Sequence, residues 1–283
     1  MDELQRSRPR RDALTGGGML RRGGVLLAVL LVTAGCRSAP SAGTTLQAVV
    51  DQSQPTATLT TAAPPTCTVP PPYLGTEVER LPVSQKLVAL TFDAGANADG
   101  VRSILDTLAA RQARATFFLT GSFVQDYPRK SARIGHHYLV GNHTNTHPDL
   151  TTLTDRQVRR QVRTAQSLIL TATGHDPRRF FRFPYGARTP HLINLLNQLC
   201  YVPFRWTVDT LGWKGTSEGM TVDNVVARIV ATEQPGEVVL MHVGSNPDDG
   251  STIDADALPR IIHRLRSDGY TLVGLSRVLA PGP

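Results

Sequence analysis

The sequence predicts an α/β fold, a parallel sheet curled into an incomplete (β/α) barrel of about seven units. Three observations carry this. Short apolar runs alternate with amphipathic stretches from Leu81 onward. The runs have the length of strands buried on both faces, and the stretches between them place apolar residues at helical spacing. Polar residues with chemical potential stand at or directly after four of the runs, where a parallel barrel gathers its working groups.

Residues 87–92 form the first predicted strand, and Val101, Ile104, Leu105 and Leu108 mark the helix that follows. Residues 115–119 and 138–140 are the next strands. The clearest helix covers 154–172, because Thr154 and Gln157 have capping-box spacing and Gly174 stands where a helix stops. Residues 180–183, 202–208, 238–241 and 271–273 complete the strands. Helices fit at about 190–199, 221–233 and 255–268. Seven or so units in roughly 200 residues are too few for a full eight-unit barrel.

The chain before this region has a different character. Residues 1–36 carry six arginines against three acids, a net of +3, which leaves +4 of the formal +7 for the rest. No basic, aromatic-rich stripe remains, so nucleic acid is not an expected partner. The apolar run at 25–32 is too short to span a bilayer but suits a secretory signal. It leads through Thr33-Ala34-Gly35 to Cys36 and resembles a bacterial lipoprotein signal, with Cys36 as the lipidated residue. An ordinary cleaved signal is the alternative. Residues 37–80 are rich in Ala, Ser, Thr and Pro and read as a tether. Residues 81–283 then form the catalytic domain. The expected protein is exported, anchored by lipid at the outer face of a bacterial membrane, and monomeric. In that compartment Cys67 and Cys200 are either joined or left as two thiols.

The chemistry is read from Gly141-Asn142-His143-Thr144-Asn145-Thr146-His147. Two imidazoles four residues apart can share one divalent ion, and no Glu follows the first, so the helical zinc-protease pattern is absent. Asp93, Arg182 and His242 each close an apolar run. Together they supply a metal, a base, an orienting cation and an acid, the equipment of metal-assisted hydrolysis. His136, His137, His175, His191 and His263 have no motif around them and read as surface or packing residues.

Five segments occur in order: Thr91-Phe92-Asp93-Ala94-Gly95, His143 to His147, Arg182-Phe183-Pro184-Tyr185-Gly186, Asp209-Thr210-Leu211-Gly212-Trp213 and Val239-Leu240-Met241-His242. In this they resemble the polysaccharide deacetylase family, carbohydrate esterases with distorted (β/α) barrels, over about 86–280. The resemblance implies Asp93 as general base and His143 and His147 as ligands of zinc or another divalent transition ion. It further implies Arg182 orienting Asp93, the Tyr185 backbone N–H stabilising the oxyanion, Trp213 beside the substrate acetyl group, and His242 as acid. The implied reaction removes N-acetyl groups from an acetylated polysaccharide, peptidoglycan or a chitin-like glycan. O-acetyl ester hydrolysis and glycan binding without turnover are the rival readings. Two departures motivate the last of these. Ala94 stands where the family has a second, metal-binding Asp, and Gly212 where it often has an Asp that tunes the acidic His. Asn97 or Asp99 are then candidate substitute ligands, and Asp209 a candidate partner for Arg182 or His242.

Overall fold

The computed structural model describes residues 68–279. Within them the strands are β1 (Leu87–Ala94), β2 (Thr116–Leu119), β3 (Leu139–Asn142), β4 (Arg179–Phe181), β5 (Tyr201–Pro203), β6 (Val208–Asp209), β7 (Glu237–His242) and β8 (Thr271–Val273). They lie in the order β5-β4-β3-β2-β1-β7-β6. Every pairing between them is parallel, and β8 pairs with the first three residues of β1. The helices are α1 (Val101–Ala110), α2 (Gly121–Asp126), α3 (Pro128–His137), α4 (Asp155–Thr173), α5 (Pro190–Gln198), α6 (Val222–Thr232), α7 (Ile253–Ser267) and α8 (Ser276–Leu279). This is the distorted, incomplete (β/α) barrel that the sequence predicts.

β1 shows how the sheet is built. Its residues Leu87–Ala94 are almost wholly buried. Val88, Leu90, Phe92 and Ala94 pack in one cluster with α1, α6 and α7, while Ala89 packs in a second with Phe118, Val202 and Val238. Strand alternation therefore sends one set of side chains to the helices and the other to the barrel interior. Asp93 belongs to the interior set, and Ala94 to the helix-facing set.

Two local predictions hold in detail. The α4 capping box forms between Thr154 and Gln157, and Gly174 ends the helix at φ 73°, a left-handed conformation that glycine adopts without a Cβ penalty. The expected single strand at 202–208 is instead two. Pro203 closes β5, and the chain then crosses to β7, where Thr207 N–H reaches Val238 O at 2.9 Å before β6 begins. Proline has no N–H for a ladder, so it suits the end of an edge strand and not the middle of a long one. Helices α2 and α3 fill a stretch to which the sequence pattern assigns no element. Each is short and buries few side chains, Phe123 and Val124 from one and Ser131 and Ile134 from the other.

Residues 68–83 lie against the barrel. Val78 N–H donates to Pro203 O and Val78 O accepts from Arg205 N–H, while Leu81 N–H reaches Gly236 O. Val69, Val78 and Leu81 are buried. Cys200, at φ 74°, is disulfide-bonded, so of the two alternatives for this residue the bonded one is found. Cys36 and Cys67 lie outside the described residues. Among those described, no helix is long and apolar enough to cross a membrane.

Candidate active site

The carboxyl ends of the parallel strands bring the predicted residues to one rim. Asp93 near the end of β1 and His242 at the end of β7 are register partners in the sheet, so they sit side by side and leave it on the same face. His143 and His147 lie in the loop after β3, and Arg182 directly after β4.

The loop after β3 is shaped by side chains. Asn142 accepts from Thr144 N–H at 2.9 Å and donates to Val162 O and Tyr201 Oη. Gln161 of α4 accepts from Asn145 and Thr146 N–H, both at 2.9 Å. Thr144 and His147 adopt φ values of 68° and 57°, costly for residues with a Cβ and commonest where a site needs them. The result is a tight turn that faces the two imidazoles, Nε2 to Nε2, at 3.1 Å.

Around Asp93 the charged groups are paired. Arg182 is buried, and each of its three nitrogens donates a hydrogen bond. Nη1 holds Asp93 Oδ1 at 2.8 Å, Nη2 holds Arg205 O at 3.0 Å and Nε reaches Phe204 O at 3.3 Å. Its guanidinium also lies 4.3 Å from the Phe118 ring centre, a cation–π contact at a desolvated position. Asp93 Oδ2 sits 3.3 Å from His143 Nε2. Burial raises the Asp93 carboxyl, but Arg182, His143 and His242 outweigh it, so the net direction is below the ordinary value. The imidazoles go the same way. Desolvation lowers His143, and desolvation with the neighbouring His143 lowers His147 to about 3. Both shifts favour the neutral ring, the form that binds metals.

The donor set fits a divalent ion. His143 Nδ1 lies 2.8 Å from Arg182 O. A carbonyl only accepts, so the hydrogen is on Nδ1 and the Nε2 lone pair faces His147 and Asp93. His143 Nε2 lies 3.1 Å from His147 Nε2 and 3.3 Å from Asp93 Oδ2, so the three side chains converge. Zinc–nitrogen bonds of about 2.0–2.1 Å place neighbouring ligands of a tetrahedral ion about 3.3–3.4 Å apart, close to the spacings here. Among the described residues no group of three His, Cys, Asp or Glu side chains forms a ready cage. Ala94 adds nothing, being buried against the helices. Asn97 and Asp99 do not replace it. Asn97 accepts from Ser245 N–H and donates to Ser245 O, and Asp99 accepts from Ser245 Oγ at 2.7 Å. They hold the loop after β7 in place.

Around His242 the expectation is met only in part. Asp209 accepts from Leu211 N–H at 2.9 Å and acts on His242 through its charge, while the hydrogen bonds of Arg182 go to Asp93, Phe204 and Arg205. The carboxylate at His242 is Asp254, in the first turn of α7. Its Oδ2 accepts the His242 backbone N–H at 2.8 Å and lies 3.7 Å from His242 Nδ1, and its Oδ1 accepts from Thr210 Oγ1 at 2.6 Å. Burial pulls the His242 imidazole down. The carboxylates of Asp254, Asp93 and Asp209 more than reverse this, so the ring keeps its proton above the ordinary imidazole value. The only sequence sign of Asp254 was Gly212, a position without a side chain opposite it.

Two aromatic residues edge the site. Tyr185, at φ 58°, sets its ring 4.6 Å from that of His147 and donates its hydroxyl to His147 O at 3.2 Å. The Trp213 ring is 6.4 Å from His242. Asn246, in the loop after β7, donates to Trp213 O and Lys214 O, and Asp249 of the same loop accepts from Thr216 Oγ1. The polar loop at 244–250 therefore braces the Trp213 segment. Trp206 packs over Arg182 at 5.7 Å. Among the histidines without a motif, His191 pairs with Asp155 at 2.8 Å, and His136 and His137 pack on each other.

The chain is similar to known polysaccharide deacetylases. The family model described as polysaccharide deacetylase matches residues 80–204. A peptidoglycan-N-acetylglucosamine deacetylase of Bacillus cereus is 32% identical over 69% of this chain and 68% of its own. A chitooligosaccharide deacetylase of Sinorhizobium fredii is 33% identical over 72% of this chain and 96% of its own. Among solved structures, Bacillus subtilis PdaA, a family 4 carbohydrate esterase, superposes with a TM-score of 0.66 at 26% identity, covering 72% of this chain and 85% of that one. A CE4 family pseudoenzyme from Bacillus anthracis gives the same TM-score at 28% identity, covering 72% and 69%.

Proposed function

This chain belongs to the polysaccharide deacetylase family of hydrolases, and from that premise we propose that it removes N-acetyl groups from a cell-wall glycan, peptidoglycan or a chitin-like polymer, with a divalent metal. The observation that carries the reading is the single rim at which a depressed carboxylate, two neutral imidazoles and a protonation-prone imidazole meet.

His143 and His147 would hold the ion, zinc or another transition metal, which when bound polarises the acetyl carbonyl and makes water easier to deprotonate. Asp93 takes the proton from the attacking water. Arg182 fixes the rotamer of that carboxylate and keeps it ionised. His242, charged before the reaction starts, gives a proton to the departing nitrogen, without which an amine is a poor leaving group. Trp213 lines the side of the pocket next to His242, and the Tyr185 backbone N–H is assigned to the oxyanion. The relatives' names motivate the substrate class.

Ala94 and the likeness to a pseudoenzyme favour a second reading, glycan binding without turnover. The test is acetate release by the metal-loaded protein from N-acetylated peptidoglycan, chitin oligomers and O-acetylated xylan. Release from the first two supports the proposal. Release from xylan alone gives an esterase, and none from any substrate, with glycan retained, gives the binding protein. Cell-wall glycan as substrate agrees with export and lipidation at Cys36, which lies outside the described residues. Mass spectrometry of the mature N-terminus decides that point, and a chain starting elsewhere than an acylated Cys36 contradicts it.

A further inference from the structure

The geometry points to Asp254 as the residue that positions the acid His242, in a carboxylate relay that depends on the absence of a side chain at Gly212. This rests on the reading of His242 as the acid. The carboxylate is buried, with 3% of the residue exposed. It has three neighbours at the site: Thr210 Oγ1, the His242 backbone N–H and the His242 ring at Nδ1. The Nδ1 atom is buried and has no hydrogen-bond partner. A small approach of the ring, from 3.7 Å, gives it one. The other ring nitrogen, Nε2, then faces the substrate with a proton to give. This is the division of labour in which one imidazole nitrogen is held and the other works.

Gly212 makes the arrangement possible. A Cβ added there would fall 2.2 Å from Asp254 Oδ1 and 2.5 Å from its Cγ. Position 212 and position 254 thus compete for one space. Only one of them can carry a side chain into it, and in this chain the carboxylate enters from α7. Its place in the first helical turn adds the stabilisation that a helix N-terminus gives an anion. The buried backbone bond to His242 fixes its height along β7, so the carboxylate is set by two elements and not by a loop.

Exchange of the two positions tests this. Asp254→Asn preserves shape and should lower kcat on an N-acetylated glycan by about 10–100-fold, the scale for partners that orient a working imidazole, with KM little changed. Asp254→Ala should do the same or worse. Gly212→Asp alone should be poorly active or unstable, because two carboxylates meet in one space. The pair Gly212→Asp with Asp254→Ala should regain at least tenfold over Asp254→Ala, which a merely structural Asp254 would not allow. A readout independent of turnover is the ¹⁵N spectrum of the His242 ring. It should show hydrogen at Nδ1 in the wild type and a mixed tautomer in the folded Asp254→Ala. Wild-type kcat and an unchanged His242 tautomer in Asp254→Asn and Asp254→Ala would overturn the assignment and leave the deacetylase reading standing. A wild type inactive on every acetylated glycan would sink that reading, while the spectrum still decides the contact.

Discussion

The two sides of the rim are built by different rules. On the base side, Asp93, Arg182, His143 and His147 come from β1, β4 and the loop after β3, and the charged groups around Asp93 are paired. On the acid side, the partner of His242 arrives from a helix, through a gap left by a glycine. The first side repeats the motif order of its family. The second reaches an equivalent electrostatic end by a different route. On the proposed reading, the charge of an absent motif residue is supplied from another element, through the space its absence leaves. At Ala94 no such replacement is visible, since its neighbours in the loop are engaged elsewhere.

The comparison breaks most readily at the base side. Replacing His143 and His147 together with Ala should abolish metal binding and activity in a folded protein. Metal stoichiometry unchanged from the wild type, measured by mass spectrometry, would remove both residues from the site. A lower but still large effect is expected for Asp93→Asn, about 10²–10⁴-fold in turnover.

The pH profile sharpens the contrast. On the proposed mechanism, activity needs Asp93 without its proton and His242 with it. Arg182 and the histidines hold Asp93 below its ordinary 3.8, and the carboxylates hold His242 above its ordinary 6.5. Rate should therefore rise through an acid limb below the usual carboxylate range, stay level through neutrality, and fall only on the alkaline side of 6.5. A decline in kcat/KM that is complete by neutral pH would mean that the acid side is not set as described.

The sequence made the base side legible because its residues close the strands they serve. β1, β7 and α4 were also legible, being a continuous apolar run, a second such run, and a helix with both ends marked. Asp254 was not. In the sequence it is an acid near the start of a helix, a common and unremarkable position, and only the packing of α7 against the Trp213 segment brings it to His242. The split of the 202–208 run turned on Pro203 and on partners, Val78 and Val238, remote in sequence. Residues 68–80 resisted reading for a related reason. Their composition suggests a tether, yet Val69 and Val78 find apolar surface on the barrel. A chain beginning at Leu81 should lose about 3–6 kcal/mol relative to one beginning at Thr68, from burial of roughly two valine side chains. Equal denaturation midpoints would show that this packing contributes nothing.

The smallest expected effect lies at the far end of β7, where Glu237 is buried with Oε2 unpartnered. Burial pushes its carboxyl up to about 7, from an ordinary 4.5. The folded state therefore holds a proton that the unfolded state releases at lower pH, and stability falls as pH rises between those values. Glu237→Gln should add about 1–2 kcal/mol at pH 8 and little at pH 4. A variant no more stable than wild type at pH 8 would mean that the buried carboxylate is satisfied. The contrast with Asp93 is that of a carboxylate paired with a guanidinium against one whose Oε1 accepts from the Thr232 hydroxyl and whose Oε2 has no partner.

The division of labour between the two sides is tested most directly by paired kinetics on an N-acetylated glycan and an activated acetyl ester. Asp93→Asn should depress both by a similar factor, because both need the water activated. His242→Ala should depress the amide by about 10²–10⁴-fold and the ester far less, because a good leaving group departs without a proton. Equal losses on the two substrates for His242→Ala would contradict the account and make His242 a structural or metal-binding residue.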